Sequence, residues 1–103
     1  MLELLLLRHA KSRWDEPLTG DHDRDLAPRG EIAAGRMGRL IREQGLVPDL
    51  VLCSTARRAV ETWRLAAAEL ADPPPLRHDD RLYLAAPARM LEVLAEQGAG
   101  AAR

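Results

Sequence analysis

One short apolar run, closed by an arginine and a histidine, constrains this chain more than any other feature. Residues 2–7 are almost continuously apolar, which is typical of a strand with both sheet faces covered, and Arg8 and His9 follow at once. Open α/β sheets bind ligands in the crevice beyond the carboxyl ends of their strands. Because a guanidinium holds oxyanions in a fork and an imidazole can attack phosphorus, the run predicts a phosphate site at the end of a buried strand.

Composition excludes several classes of protein. The 103 residues are 47% hydrophobic and 30% charged, as expected of one globular domain over residues 1–103. A net charge of −1 provides no general field that would attract nucleic acid or an anionic membrane. Cys53 is the only cysteine, so no internal disulfide can form and a reducing compartment fits. The run over 4–7 is too short for a signal or membrane-spanning segment, so we expect a cytoplasmic protein.

Periodicity and turn residues predict an alternation of strands and helices. The expected elements are a strand over 2–7, a long polar loop over 10–29, a helix over 31–43, a strand over 50–53, a helix over 56–70, a strand over 76–78 and a helix over 87–97. This order predicts an α/β protein, with three α/β/α layers and a mainly parallel sheet. We expect the first helix to face the core with the side that carries Ile32, Ala33, Met37, Leu40 and Ile41.

A second cationic pair follows the second predicted strand. Arg57 and Arg58 stand after that strand as Arg8 and His9 stand after the first. If the two strands are parallel, both pairs lie at the same edge of the sheet. Arg57 and Arg58 fall in the first turn of a helix, where the helix dipole disfavours cations unless an anion binds there. Either this pair binds an anion, or both side chains are solvated and pair with acidic neighbours.

Three segments together resemble the histidine phosphatase superfamily, which includes the phosphoglycerate mutases and the small SixA-type phosphohistidine phosphatases. They are Arg-His-Ala-Lys-Ser over 8–12, Arg-Asp-Leu-Ala-Pro-Arg-Gly over 24–30, and the spacing Ser54-x-x-x-Arg58-Ala59-x-x-Thr62. The first segment and the short chain resemble the SixA branch most. The resemblance runs from residue 4 to about residue 62, and more loosely to residue 94.

The resemblance implies a phosphoglycerate mutase-like fold and a phosphatase that uses neither a metal nor a cofactor. It assigns His9 as the nucleophile that forms a phosphohistidine intermediate. Arg8 and Arg58, rather than Arg57, would hold the phosphoryl oxygens. The same comparison places two further residues beside the substrate, which are Ser12 in the loop and Arg24 at the pocket mouth.

The chain departs from the family pattern at one catalytic position. The family completes its phosphate pocket with a second His, in a Gly-His motif after a later strand, and neither His22 nor His78 stands in such a motif. We assign the role to neither, and we expect the strand and its His to be missing from an incomplete chain. Asp79 and Asp80 lie where some relatives carry the general acid, although a solvated surface pair explains them more simply.

The substrate is the most open part of the prediction. The SixA-like motif favours phosphohistidine on a signalling or carrier protein, and a small phosphomonoester, hydrolysed or transferred by a mutase, is the alternative. A non-catalytic module that binds phosphate or a phosphoprotein is the alternative outside the enzymes.

The acidic run over 21–25 has the opening spacing of a calcium loop, but Leu26 and Ile32 replace its glycine and glutamate. We therefore expect no metal, nucleic acid or membrane partner.

Overall fold

The computed structural model describes residues 3–12 and 20–103. Within these ranges the elements follow the order α1 (Pro28–Glu43), β1 (Val51–Cys53), α2 (Arg57–Ala67), β2 (Leu76–His78) and α3 (Pro87–Gln97). Single 3-10 turns cover Asp21–Asp23 and Asp80–Leu82. The part of the predicted loop over 13–19 lies outside the described residues.

β1 and β2 form a parallel pair, connected through α2. Val51 pairs with Leu76, and Cys53 pairs with His78. This connection is a β–α–β unit, in which a crossover helix is needed because parallel strands run in the same direction. The α/β class and the parallel sheet predicted from the sequence are therefore confirmed.

The ends of the helices follow local backbone chemistry. α1 begins at Pro28, three residues before the predicted start, because a proline in the first turn has a suitable φ and no N–H to leave unpaired. The helix ends at Glu43, and Gly45 follows with a φ of +66°, a conformation that glycine adopts readily. α2 ends at Ala67, before the predicted end at residue 70. α3 has the predicted bounds.

The core of the described chain lies where α1 and α2 meet β1. Its buried members are Trp63, Ala66 and Leu70, with Ile41, Val51 and Ala67 packed against them. The two helices approach closely at Gly38, where an added Cβ would lie 2.1 Å from the carbonyl oxygen of Ala66. This contact leaves no room for a side chain between the helices.

The predicted core face of α1 is wrong in most of its residues. Of the five, Ile41 packs against the buried cluster, whereas Ile32, Ala33, Met37 and Leu40 are exposed. The buried residues of α1 are Gly30, Ala34 and Gly38, spaced four apart along the helix. A close helix contact selects small residues, and the sequence pattern of large apolar residues does not reveal such a contact.

Residues 3–7, the described part of the predicted first strand, do not form a strand. Leu4 is 52% exposed and Leu6 is 73% exposed, although the sequence predicts burial. A strand requires backbone partners along its length, and apolar character alone does not provide them. The backbone of Ala102 and Arg103 lies beside this segment and beside the residues before β1. The Ala102 carbonyl accepts from Glu3 N at 2.7 Å, and the Arg103 carbonyl accepts from Asp49 N at 2.7 Å.

Candidate active site

The backbone beside His9 selects one tautomer of its imidazole. Nδ1 of His9 lies 2.8 Å from the carbonyl oxygen of Ala10. A carbonyl oxygen can only accept, so Nδ1 carries the proton of the neutral ring and Nε2 keeps its lone pair. The ring is half-buried, which leaves part of it open to a ligand. The free lone pair of the neutral His9 ring is therefore on Nε2.

Thr62 ties the loop that carries His9 to the start of α2. The Ala10 amide donates to Oγ1 of Thr62 at 3.0 Å, and that hydroxyl donates to the Arg58 carbonyl oxygen at 2.7 Å. Thr62 is buried, so both bonds are shielded from water. Thr62 lies on the same face of α2 as Arg58 because the two are four residues apart. The Thr62 hydroxyl thus links the backbone of the residue after His9 to the backbone of Arg58.

Arg58 is the buried cation of this cluster. Its side chain is 7% exposed. Nη1 donates to the backbone carbonyl of Asp21 at 2.7 Å, and Nη2 donates to Oδ2 of Asp21 at 3.2 Å. A buried guanidinium requires such partners, and Asp21 supplies both a fixed backbone oxygen and a charge.

Three donors meet at the Asp21 carboxylate. Besides Arg58, Arg24 Nη1 lies 3.4 Å from Oδ1, and the Tyr83 hydroxyl donates to Oδ2. The hydrogen bond from Tyr83 is the largest cause that holds the pKa of Asp21 below its ordinary value, and the two arginines add to it against the opposing effect of burial. Asp21 is therefore ionised at neutral pH.

Tyr83 and His22 complete the surroundings of Arg58. The Tyr83 ring stands edge-on to the His22 ring, with centroids 4.8 Å apart, and Cζ of Arg58 lies 5.8 Å from the Tyr83 centroid. Nε2 of His22 lies 2.9 Å from Oγ1 of Thr55, in the loop between β1 and α2. The turn over Asp21–Asp23 is thus attached to the end of β1 and to the first turn of α2.

Arg8, Ser12 and Arg57 stand apart from this cluster. Arg8 is exposed, and its guanidinium makes no hydrogen bond or ion pair with the part of the chain that the structure describes. Ser12 is 4% exposed and forms an isolated antiparallel bridge with Leu26. Arg57 is exposed and pairs with Glu61 at 2.8 Å, which is the solvated arrangement that the sequence left open. Of the predicted residues, Arg58 and Arg24 therefore share the Asp21 carboxylate, and the loop of His9 is tied to the backbone of Arg58.

The remaining chemical candidates have structural partners or unsuitable ionisation. Asp79 accepts from Arg81 Nη2 at 2.7 Å, and this side-chain pairing is the main cause that keeps the pKa of Asp79 low. An ionised carboxylate has no proton to donate, so Asp79 is unsuited to the role of general acid. Burial raises the pKa of Cys53 to about 11, which keeps it a thiol. Among residues 3–12 and 20–103, no group of three or more metal-ligating side chains comes together, and no helix is long and apolar enough to span a membrane.

Sequence reasoning missed Asp21 and Tyr83. The sequence pattern marks Asp21 only as part of a possible calcium loop. Its partner Tyr83 is 62 residues away along the chain. The one local signal is Arg24, three residues after Asp21, since residues at that spacing meet on a helical turn. Nothing in the pattern around Tyr83 marks it.

An α/β domain that ties a histidine loop to a buried arginine at the start of the helix after a strand is of the histidine phosphatase type. The chain belongs to the histidine phosphatase superfamily (branch 1), whose family model matches residues 4–83. An uncharacterised protein of Mycobacterium tuberculosis is 42% identical over 92 residues, which cover 89% of this chain and 55% of that protein. A 2,3-bisphosphoglycerate-dependent phosphoglycerate mutase of Thermobifida fusca is 45% identical over 71 residues, covering 67% of this chain and 29% of the mutase.

Solved structures give the same family. A chain from Agrobacterium tumefaciens that carries the name phosphohistidine phosphatase SixA superposes with a TM-score of 0.81 and 32% identity, covering 88% of this chain and 58% of that one. The resemblance to the family, and to its SixA members in fold, is confirmed. The chain spans about half the length of this structure and of the mycobacterial relative, and less than a third of the mutase.

Proposed function

We propose that the protein is a histidine phosphatase in which His9 accepts a phosphoryl group and then passes it to water. The observation that carries this proposal is the hydrogen bond from His9 Nδ1 to the Ala10 carbonyl, in a loop tied through Thr62 to Arg58. This arrangement leaves a lone pair on Nε2, in a loop whose backbone is tied through Thr62 to the helical turn that carries the buried Arg58. Those are the two requirements for attack on a phosphoryl group, which are a free lone pair and a positive charge that offsets the charge of the oxygens.

The proposed reaction has two steps. In the first, the lone pair of His9 Nε2 forms a bond to phosphorus, and the bond between phosphorus and the leaving atom breaks. The leaving atom departs with the electron pair of that bond and takes up a proton from water. In the second step, a water oxygen attacks the same phosphorus, the bond to Nε2 breaks with its electron pair returning to Nε2, and inorganic phosphate leaves while the proton of the attacking water passes to solvent. Arg58 and Arg8 hold the phosphoryl oxygens throughout, with Ser12 and Arg24 beside the substrate, and the scheme contains no metal or cofactor.

The proposed substrate is phosphohistidine on a protein partner. Relatives in fold that carry the name phosphohistidine phosphatase SixA support this choice. A small phosphomonoester, hydrolysed or transferred, is the second candidate, since relatives named phosphoglycerate mutase support it. We place the protein in the cytoplasm and treat residues 1–103 as one domain. We expect the site's chemistry to be the same for either substrate, because both present a phosphoryl group to Nε2.

A paired substitution tests the proposal. His9→Ala removes the nucleophile, whereas His78→Ala removes an exposed histidine on β2. We expect release of phosphate from an aryl phosphate and from a phosphohistidine-containing protein to be lost in His9→Ala and kept in His78→Ala, with unchanged circular dichroism in both. Turnover that survives in His9→Ala would end the assignment. Binding of phosphate without turnover in the unsubstituted chain would indicate a phosphate-binding module instead.

A further inference from the structure

We propose that the Asp21 carboxylate is an internal occupant of the phosphate site, and that an incoming phosphoryl group must displace it from Arg58. This inference rests on the proposed function, because it names the group that competes for the arginine of that same site. It makes Asp21 a determinant of how tightly the site takes an anion.

The two arginines that pair with Asp21 are those that a phosphoryl group would use. Its carboxylate lies 3.2 Å from Arg58 Nη2 and 3.4 Å from Arg24 Nη1, and both arginines are expected to lie beside the substrate. The Tyr83 hydroxyl donates to the same carboxylate, but Tyr83 is not among the residues expected beside the substrate. Carboxylates and phosphoryl groups bind guanidinium in the same manner, through oxygens that accept charge-assisted hydrogen bonds. With Asp21 in place, the positive charge of Arg58 is already offset.

Displacement of the carboxylate does not require the backbone to move. The Asp21 side chain is 43% exposed, and the turn over Asp21–Asp23 contains no buried residue. Arg58 is also held by the Asp21 backbone carbonyl, at the shorter distance of 2.7 Å. The carboxylate can therefore rotate toward water while the backbone oxygen still positions the guanidinium. The backbone of Asp21 positions Arg58, and its side chain masks the charge.

The test compares two neighbouring acids of one turn. Asp21→Asn keeps the size of the side chain and the backbone carbonyl but removes the charge. Asp23→Asn removes an equal charge from a side chain that is 80% exposed and contacts His22 Nδ1 at 3.5 Å. The dissociation constants for inorganic phosphate and for tungstate are measured by titration calorimetry. We expect Asp21→Asn to bind about twofold to fivefold more tightly than the unsubstituted chain, the range for a partly exposed charge pair, and Asp23→Asn to bind as the unsubstituted chain does.

Each other result has a definite meaning. Equal or weaker binding by Asp21→Asn overturns the proposal, and so does an equal gain in Asp23→Asn, which would indicate a general charge effect. If the unsubstituted chain binds phosphate through Arg58 and Asp21→Asn gives no gain, the inference fails while the proposed function stands. If neither binds phosphate, both fail together.

A second variant guards against loss of the turn itself. Tyr83→Phe removes one of the three donors that hold the carboxylate but leaves Asp21 in place. We expect a smaller gain in phosphate affinity in the same direction. Thermal midpoints measured with and without phosphate provide the matching readout. Asp21→Asn should have a lower midpoint without phosphate and a larger rise when phosphate is added, because only an unmasked site gains more from its ligand. A rise no larger than that of the unsubstituted chain overturns the proposal.

Discussion

The side chains of Arg57 and Arg58 leave the first turn of α2 about 100° apart, as neighbours on any α-helix do. That rotation gives them different surroundings. Arg57 is 55% exposed and pairs with Glu61 one turn further along, whereas Arg58 is 7% exposed and is held by Asp21. A buried guanidinium interacts with an anion through less screening water, and for this reason we propose Arg58, and not Arg57, as the arginine that holds a phosphoryl group.

The first prediction concerns this pair. Arg58→Ala should weaken binding of phosphate or vanadate by about tenfold or more, since a charge-assisted hydrogen bond in a shielded site is lost. Arg57→Ala should leave binding within about twofold, as expected of an exposed ion pair. Titration calorimetry on both variants, with circular dichroism as the check on folding, measures the difference. Equal losses in the two variants would show that the spacing from Ser54 selects the wrong arginine.

At the scale of elements, the close contact between α1 and α2 fixes the position of α2, the helix that carries Arg58. Gly38 of α1 faces the Ala66 carbonyl of α2 so closely that an added Cβ would lie 2.1 Å from it. Gly35, on the same helix, has no atom nearer than 3.9 Å to such a Cβ. The two glycines therefore differ in packing while sharing the backbone of one helix.

The second prediction uses these two glycines. Gly38→Ala should lower the free energy of unfolding by about 1–3 kcal/mol, because the helices must move apart. Gly35→Ala should raise it by about 0.5–1 kcal/mol, since alanine restricts the unfolded chain and favours the helix. Urea unfolding followed by circular dichroism gives both values. A loss of stability in Gly35→Ala as large as that in Gly38→Ala would contradict a close contact between the two helices at Gly38.

The elements also show which parts of the fold the sequence predicts and which it does not. β2 and α3 have the predicted bounds, and local residues mark three of these limits, since Pro75 precedes β2, Pro87 begins α3 and Gly98 follows it. The apolar run over 2–7 is misleading because a strand depends on neighbouring backbone, whereas the bonds here run from Glu3 to Ala102 and from Asp49 to Arg103. The predicted core face of α1 is wrong because the closest contact of this helix with α2 is made by Gly38, and apolar periodicity does not count a glycine.

For the molecule as a whole, carboxylates paired with arginine link stability to pH. The pKa of Asp79 is lowered in the folded chain, chiefly by the side chain of Arg81, and it returns to its ordinary value on unfolding. The folded state therefore binds fewer protons than the unfolded state in the acid range. This contribution is complete at neutral pH and is lost as the pH falls from about 5 through the lowered pKa.

The third prediction isolates that charge. Asp79→Asn should lower the thermal midpoint at pH 7, and the difference from the unsubstituted chain should shrink as the pH falls to about 3. An asparagine can still accept from the Arg81 amide, so the cap of the 3-10 turn is kept. Asp80→Asn is the control, because the Asp80 carboxylate makes no hydrogen bond or ion pair within the described chain. A difference that stays constant between pH 7 and pH 3 would contradict the link to ionisation.

Part of the candidate site can be predicted from the sequence, and the rest depends on the fold of the whole molecule. His9 and Arg58 stand in spaced motifs, so the sequence indicates both, and Thr62 links the loop of His9 to the backbone of Arg58. Asp21 and Tyr83 meet across 62 residues of chain, and their contact depends on how the loop folds back onto α2. No local pattern encodes a contact of that kind, which is why the internal carboxylate emerges only from the three-dimensional arrangement.

The most direct test of the account is to look for the phosphoryl group on His9 during turnover. The chain is mixed with a phosphorylated substrate, quenched rapidly in alkali, which preserves phosphohistidine, and digested for tandem mass spectrometry. We predict a phosphoryl group on His9 that forms before phosphate is released, and none in the peptide that contains His78. Phosphate release with no phosphoryl group on His9 at any time, or with the group on another residue, would contradict the account.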